Sequence, residues 1–204
     1  QIYFLQERYL ELIEYAEPWM ENVSTKRKGE MSRLLAEAYY YEGNYEKSLL
    51  YYEVYYSSPS QLNRDDYYAY GYCLYKTAQY DKAVDQFNKV INEKDALTQI
   101  ALLNMGDCYL KTEKFKYAQN AFKNASQFDF NEDIKEEAFF NYAKLSYQLS
   151  FDPYDEAIQA FEAYLDTYPH SDKKDEAYIF LLNVYMKTKN YQSALSVIEK
   201  IRNP

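Results

Sequence analysis

The sequence predicts an all-α fold: a right-handed superhelical solenoid of helix–turn–helix hairpins. Two observations predict it. A bulky-and-small pattern recurs five times along the chain, and internal repetition on this length scale is the mark of stacked supersecondary units. Glycine and proline are also scarce, at 4 and 5 of 204 residues. So few turn formers argue against a sheet protein built on many tight turns.

The repeat is read first from its second helix. An aromatic residue opens each copy, at Tyr45, Tyr80, Phe115, Tyr154 and Tyr191, with spacings of 35, 35, 39 and 37 residues. A small residue follows three positions later: Ser48, Ala83, Ala118, Ala157 and Ala194. Four further on comes Tyr52, Phe87, Phe122, Phe161 or Ile198, and three beyond that Tyr55, Val90, Ala125, Tyr164 or Ile201. Offsets of 3, 4 and 3 trace one face of a helix. Upstream, a small residue (Ala36, Gly71, Gly106, Ala143; Leu182 in the fifth copy) precedes Tyr39, Leu74, Tyr109, Ser146 or Tyr185 by three. The small residue lets the second helix of each hairpin approach the first closely.

The helices expected are therefore 2–22, 29–42, 44–57, 64–77, 79–92, 96–112, 114–128, 132–149, 153–168, 173–188 and 190–202. In the first, Tyr9, Leu12, Ala16 and Trp19 keep the 3-4-3 spacing, and Pro18 is expected to kink or end it. The fourth copy carries two extra residues between its helices, in Leu149-Ser150-Phe151-Asp152-Pro153. Pro169 blocks helix continuation, and Ser171 is suited to N-cap the next helix. Fourteen tyrosines, Tyr191 among them, fall at motif positions and are expected to bury their rings while the hydroxyls stay wet. The organisation expected is a single array over 1–204: a truncated half-repeat at 2–22, then repeats at 29–60, 64–95, 96–130, 132–169 and 173–204. The last helix is expected to be exposed on one side unless more repeats follow.

These copies resemble the tetratricopeptide repeat family. The third copy carries the resemblance best, in Leu102, Met105, Gly106, Tyr109, Phe115, Ala118, Phe122 and Ala125; the second reads Tyr67, Tyr70, Gly71, Leu74, Tyr80, Ala83, Phe87 and Val90. The resemblance covers about residues 29–204. Departures are the longer period, Ser48 at the small position, and mostly missing prolines after the second helices, with Pro59 and Pro169 remaining. A narrower likeness runs through Tyr164-Leu165-Asp166-Thr167-Tyr168-Pro169-His170-Ser171 and Asp175-Glu176-Ala177-Tyr178. It is similar to repeats of bacterial cell-envelope accessory proteins of outer-membrane assembly and the Tol–Pal system, which implies a periplasmic or envelope setting.

Charge and composition exclude several functions. Lys and Arg total 23 against 32 Asp and Glu, a formal charge of −9, so nucleic acid is not expected as a partner. The longest clear apolar run, Ala177 to Leu182, is too short for a membrane span. Position 1 is Gln and no secretory leader follows it, so the chain is expected to be a fragment or a processed form. Cys73 and Cys108 are one period apart, at a packing position held elsewhere by Ala38, Leu145 and Val184; they are expected to be buried, reduced and unligated. Asp129-x-Asn131-x-Asp133 opens like a calcium loop, but Ile134 and Phe140 stand where that loop needs Gly and Glu. The expected role is an acidic helix start capped by Asn131 or Asp129. His170 is a lone loop histidine. No catalytic constellation, cofactor motif or metal set is present, and no enzyme activity is expected.

What remains is a surface. In the resembled family, the outward face of the first helices lines a concave groove. By register its rows are Arg33, Tyr68, Leu103, Phe140, Ile179; then Glu37, Tyr72, Asp107, Lys144, Asn183; then Tyr40, Tyr75, Leu110, Tyr147, Met186; and last Tyr41, Lys76, Lys111, Gln148, Lys187. The candidate site is Arg33, Glu37, Tyr40, Tyr41, Tyr68, Tyr72, Tyr75, Lys76, Leu103, Asp107, Leu110, Lys111, Phe140, Lys144 and Tyr147. Tyr68, Tyr72, Tyr75, Lys76, Leu103, Asp107, Leu110 and Lys111 come from adjacent copies and are expected to converge. Two readings compete: a groove for a protein segment with apolar anchors and a local acidic cluster, or packing against a neighbouring helix or a crystal or dimer mate, with the lysines complementing helix dipoles. Relatives that clamp a C-terminal carboxylate use Lys and Asn where this chain has Arg33, Glu37 and Tyr72, and Glu37 would repel a carboxylate. The function expected is a non-enzymatic interaction scaffold; alternatives are a cell-envelope assembly accessory, or a regulatory module of a larger enzyme or DNA-binding protein.

Overall fold

The computed structural model describes residues 6–58, 62–150 and 154–202. Among them are eleven α-helices, one 3₁₀ turn and no strand. In chain order the helices are α1 (Tyr9–Ala16), α2 (Thr25–Tyr41), α3 (Tyr45–Tyr56), α4 (Arg64–Lys76), α5 (Tyr80–Phe87), α6 (Ala96–Lys111), α7 (Phe115–Ala125), α8 (Glu132–Leu149), α9 (Asp155–Thr167), α10 (Lys174–Lys187) and α11 (Tyr191–Arg202). None is long and apolar enough to cross a membrane. The chain divides into two compact units, residues 1–92 with α1–α5 and residues 93–204 with α6–α11. Within each, consecutive helices pack as pairs, and first helices of successive hairpins also touch: α2 with α4, α6 with α8, and α8 with α10.

The hairpins close where the repeat pattern places them. Ala83, Ala118 and Ala157 have no exposed surface, nor do Tyr52, Phe87, Phe122 and Phe161. A Cβ built on Gly71 would lie 3.0 Å from the Phe87 ring, and one on Gly106 only 2.5 Å from that of Phe122. In the first repeat the small residue is Ser48, whose buried hydroxyl donates to the Ala36 carbonyl at 2.7 Å. The Cys73 thiol donates to that hydroxyl at 3.2 Å. Cys73 and Cys108 are both buried and neither is in a disulfide, and burial pushes the Cys73 thiol up to about 12.

Four of the five turns between paired helices share one geometry. Gly43, Ala78, Glu113 and Lys189 all adopt left-handed φ values, from 57° to 73°. Each turn carries the two hydrogen bonds of a Schellman cap, as in Glu113 N–H to the Leu110 carbonyl (3.1 Å) and Lys114 N–H to that of Tyr109 (2.8 Å). Thr77, Thr112 and Thr188, one residue earlier, return their hydroxyls to the carbonyls of Cys73, Cys108 and Val184. Only Gly43 suits the left-handed conformation sterically. Replacing Glu113 by Gly is therefore expected to stabilise the chain by about 0.5–1 kcal/mol, and Gly43→Ala to destabilise it by a similar amount. Thermal unfolding of the two variants checks the opposite signs.

Several sequence expectations need correction. The helix expected over 79–92 ends at Phe87. Beyond it Lys89 and Val90 bond back only three residues, and the Arg64 guanidinium takes the Val90 carbonyl at 3.0 and 2.7 Å. The helix expected over 2–22 is α1 followed by a 3₁₀ turn at Glu17–Trp19 carrying Pro18; residues 2–5 lie outside the described residues, as do Pro59 and the Phe151-Asp152-Pro153 part of the fourth turn. The tighter turn rotates Trp19 away from Leu12 and Ala16, leaving it 58% exposed. Ser171 does not cap α10, whose N-cap residue is Lys173 and which has no side-chain cap. Its hydroxyl donates to Glu136 and accepts the Lys173 N–H instead. Tyr191 is exposed rather than packed, and in α11 the buried residues are Ala194 and Val197, with Leu195 and Ile201 outward. Asn131 caps α8, accepting the Ile134 N–H at 3.0 Å.

One position, buried at Gln99 and half-buried at Arg64 and Glu136, recurs with different chemistry in three repeats. Arg64 reaches the end of its partner helix as described, and Gln99, 35 residues on, does the same. Its amide donates to the Phe128 and Asn131 carbonyls (2.8 and 3.1 Å) and accepts the Asn131 N–H at 2.8 Å. Glu136, at the equivalent place in the next repeat, accepts the Tyr164 hydroxyl at 2.9 Å. Each ties the loop after the second helix to the first.

Candidate functional site

In the amino-terminal unit, α2 and α4 lie side by side, and their repeat register puts tyrosines on the same face. Tyr40 meets Tyr72 edge-on at 5.7 Å between ring centroids. Tyr72 in turn contacts Tyr68 (6.1 Å) and Tyr75 (5.9 Å). Tyr41 adjoins Tyr40 at 5.5 Å and stacks on Tyr9 at 4.7 Å. The structure thus brings together five of the predicted tyrosines and adds residues that the register assigned elsewhere. Tyr45, which opens α3, contacts both Tyr40 (6.1 Å) and Tyr72 (5.6 Å), and Tyr80, which opens α5, meets Tyr75 at 6.1 Å. Tyr40, Tyr68, Tyr72 and Tyr75 are half-buried and Tyr41 is exposed.

Lys76 sits at this surface in the last turn of α4, where it complements the helix dipole. Its ammonium also lies over the rings of Tyr45 (5.5 Å) and Tyr72 (5.8 Å). The lysine therefore complements the helix dipole and covers the tyrosine rings at once.

Beside the tyrosines is a cleft of about 300 Å³ lined by Arg33, Glu37, Tyr40, Tyr41, Tyr52, Asn63, Asp65, Asp66 and Ala69. Arg33 Nη1 donates to Glu37 Oε1 at 2.5 Å. Burial nonetheless raises the Glu37 pKa, with Asp66 and Asp65 adding to the rise and Arg33 opposing it. Asp66 closes a capping box with Asn63 and accepts the Tyr55 hydroxyl at 3.2 Å. Tyr52 is fully buried and its hydroxyl has no hydrogen-bond partner.

In the carboxy-terminal unit, Leu103, Asp107 and Leu110 are half-buried along α6, and Lys111 is exposed in its last turn. On α8, Lys144 pairs with Glu176 at 3.2 Å and lies over Phe180 at 5.9 Å. Tyr147 contacts Phe180 (5.4 Å) and Tyr154 (6.3 Å), while Lys187 covers Tyr147 at 4.6 Å and Tyr154 at 5.4 Å. Lys187 thus repeats the Lys76 arrangement: a last-turn lysine over the aromatic that opens the preceding second helix. Phe140 is not a groove anchor. It is 4% exposed, packed on Tyr164 at 5.2 Å within the core. Ile179 and Met186, at 54% and 52%, are the most exposed apolar members of their rows.

The sequence did not disclose how the tyrosine hydroxyls are used. Tyr39 and Tyr51 both donate to Glu17 (2.7 and 2.9 Å), which Lys47 also reaches at 3.2 Å. Partial burial opposes the Glu17 charge, but these three bonds outweigh it and lower its pKa. Tyr142 donates to Glu156, Tyr168 to Glu132 and Tyr185 to Glu162. Phenol–carboxylate bonds between neighbouring helices use the two most distinctive features of the composition, 27 tyrosines and 32 acidic residues. Among the described residues no cluster of histidine, cysteine and acidic side chains could hold a metal ion, and His170 is exposed in a turn.

Repeated helical hairpins with side-by-side first helices define a repeat protein of the solenoid class. A tetratricopeptide repeat model matches residues 137–171, and that of the anaphase-promoting complex, cyclosome, subunit 3 family matches residues 42–125. The chain thus carries a tetratricopeptide repeat match at residues 137–171 and has the fold of that repeat class. Among solved structures it is similar to YrrB, described as a tetratricopeptide repeat protein with an unusual peptide-binding site. That match has 21% identity over 94% of this chain and 89% of that one, at a TM-score of 0.65. BtubC from P. vanneervenii follows, with 16% identity, 95% and 89% coverage and a TM-score of 0.57. So does pilF of Pseudomonas aeruginosa, with 15% identity, 97% and 91% coverage and a TM-score of 0.56. At these identities the likeness is one of fold. No curated protein matches the chain.

Proposed function

We propose that the chain is a non-enzymatic scaffold that holds a partner peptide against the tyrosine face of α2 and α4. The observation that carries this reading is the run of contacting, partly exposed rings from Tyr41 through Tyr40 and Tyr72 to Tyr75, edged by Lys76. Tyrosine gives a large contact area at low entropic cost, with a hydroxyl for polar adjustment. Contiguous exposed aromatics of this kind usually mark an interaction surface. YrrB, similar in fold, is described as having a peptide-binding site, which supports the same use here. The ligand that fits is a segment with apolar or aromatic anchors for the rings and an acidic residue for Lys76.

The test uses a peptide selected from a display library against the full chain. Tyr72→Ala, at the centre of the ring cluster, is expected to weaken that peptide by at least about 1 kcal/mol, the loss typical of a hot-spot aromatic. Tyr117→Ala, an exposed tyrosine on α7, is expected to leave it unchanged. Titration calorimetry measures both, and normal binding by Tyr72→Ala together with loss by Tyr117→Ala would reject the tyrosine face.

A further inference from the structure

The cleft next to the tyrosine face has a chemistry of its own. It sets one cation, Arg33, against three carboxylates, Glu37, Asp65 and Asp66. Arg33 is committed to Glu37. Asp66 accepts hydrogen bonds from neutral donors, the Asn63 N–H at 2.9 Å and the Tyr55 hydroxyl, and attracts Arg33 at longer range. The lining thus carries a formal excess of two negative charges. A second observation points in the same direction. Tyr52, which lines this cleft, is buried with an unpartnered hydroxyl. A buried phenol normally finds a partner, and one left without it stands ready to bond an incoming group. Burial raises the Tyr52 pKa, and the Glu37 and Asp66 carboxylates add to the rise, so both lie close enough to act on its hydroxyl. The remaining wall is aromatic, formed by Tyr40, whose ring also touches Tyr72.

Such a site has room for a single long side chain. Its contents select a group that is positive, planar enough to lie on a ring, and supplied with several donors. Arginine meets all three demands: its guanidinium stacks on aromatic faces and offers a fork of N–H groups to a carboxylate and a hydroxyl together. An ammonium is more strongly hydrated and less suited to the aromatic wall. We propose that this cleft receives one arginine side chain of the partner segment, its guanidinium bridging Glu37 and the Tyr52 hydroxyl and sharing Glu37 with Arg33. Combined with Lys76, which lies over Tyr72, this gives the surface a direction: a basic residue at the Glu37 end of the segment and an acidic one at the Lys76 end. The proposal takes its setting from the peptide reading of the tyrosine face, but its test does not depend on it.

That test is an amide-detected NMR titration of the full chain with N-acetyl-arginine methylamide, alongside the citrulline and lysine analogues. The arginine probe is expected to shift the amides of residues 33–41 and 63–69 saturably, and to bind about tenfold more tightly than neutral citrulline, the margin of a charge-assisted pair. Tyr52→Phe is expected to raise the unfolding temperature, because a buried unpartnered hydroxyl is removed, yet to weaken the arginine probe several-fold. Glu37→Gln is expected to weaken it too. Equal binding of citrulline, or full binding by both variants, would overturn the cleft as a cation site, and tighter binding of the lysine probe would overturn its assignment to arginine. The probe carries no apolar anchor to reach Tyr72, so these outcomes read the cleft alone. Indifference of a selected peptide to Tyr72→Ala bears only on the tyrosine face.

Discussion

Raising the pH from neutral to 12 is expected to unfold the chain, with most of the loss between pH 10 and 12. The cause is the number of tyrosines whose ionisation the fold opposes. Burial, together with the Asp66 carboxylate, pushes Tyr55 up to about 12. Burial raises Tyr164 to about 12, with the Glu136 carboxylate adding to it against the Ser171 hydroxyl. Burial also raises Tyr52, Tyr168 and Tyr185, in the last two helped by Glu132 and Glu162. Below pH 10 these phenols are protonated in both folded and unfolded chains, so they contribute their full stability. Above it the unfolded chain releases protons that the folded chain still holds, and stability falls as pH climbs toward the folded values. Tyr55 and Tyr164 each lose of order 1–2 kcal/mol, once solvent screening near their hydroxyls is allowed for. With the other raised tyrosines the sum is comparable to the whole stability of a typical domain. Circular dichroism melts at stepped pH values check it. An unfolding midpoint unchanged from pH 9 to 12 would show that the fold does not oppose ionisation of these tyrosines.

The second large effect is expected at Gly106. Its Cβ-equivalent position lies 2.5–2.7 Å from three atoms of the Phe122 ring. Phe122 has no exposed surface, so the ring has no room to retreat. Gly106→Ala gains helix propensity of about 1 kcal/mol, but the overpacking penalty, about 1–3 kcal/mol for a modest clash, is expected at its upper end here. The net result is a loss of about 1–2 kcal/mol. Gly71→Ala meets Phe87 at 3.0 Å and is expected to be milder. Coupling provides the check: Phe122→Leu, destabilising in the native chain, is expected to cost less when Gly106 is already Ala. Additive effects in that double-mutant cycle would show that the two residues do not touch.

The repeat was legible because hairpin packing is a local, periodic demand. A small residue must face a large one wherever two helices close, and Gly71 with Phe87 and Gly106 with Phe122 meet as the spacing implied. Features set by distant partners were not legible. Helix α5 stops at Phe87 although the pattern continues to Val90: the chain tightens to three-residue hydrogen bonds there, and Arg64 holds the Val90 carbonyl from 26 residues away. Trp19 was placed by a 3.6-residue period that the 3₁₀ turn at Pro18 does not keep. For the candidate site, register found the tyrosines of α2 and α4 but missed Tyr45 and Tyr80. Those belong to second helices and reach the surface only across the turn. Phe140 shares a row with Tyr68 yet is drawn into the core by Tyr164, a neighbour that spacing alone does not reveal. The phenol–carboxylate pairs join residues up to 36 apart in sequence, so composition hinted at them while no local pattern did.

The partner segment is expected to lie on the tyrosine face of α2 and α4. Hydrogen–deuterium exchange of the full chain, with and without the selected peptide, tests it most directly. Added protection is expected, centred on residues 36–41 and 68–76. Protection confined to the outer side of α3, where Leu50 and Val54 are exposed, with none in α2 or α4, would contradict it.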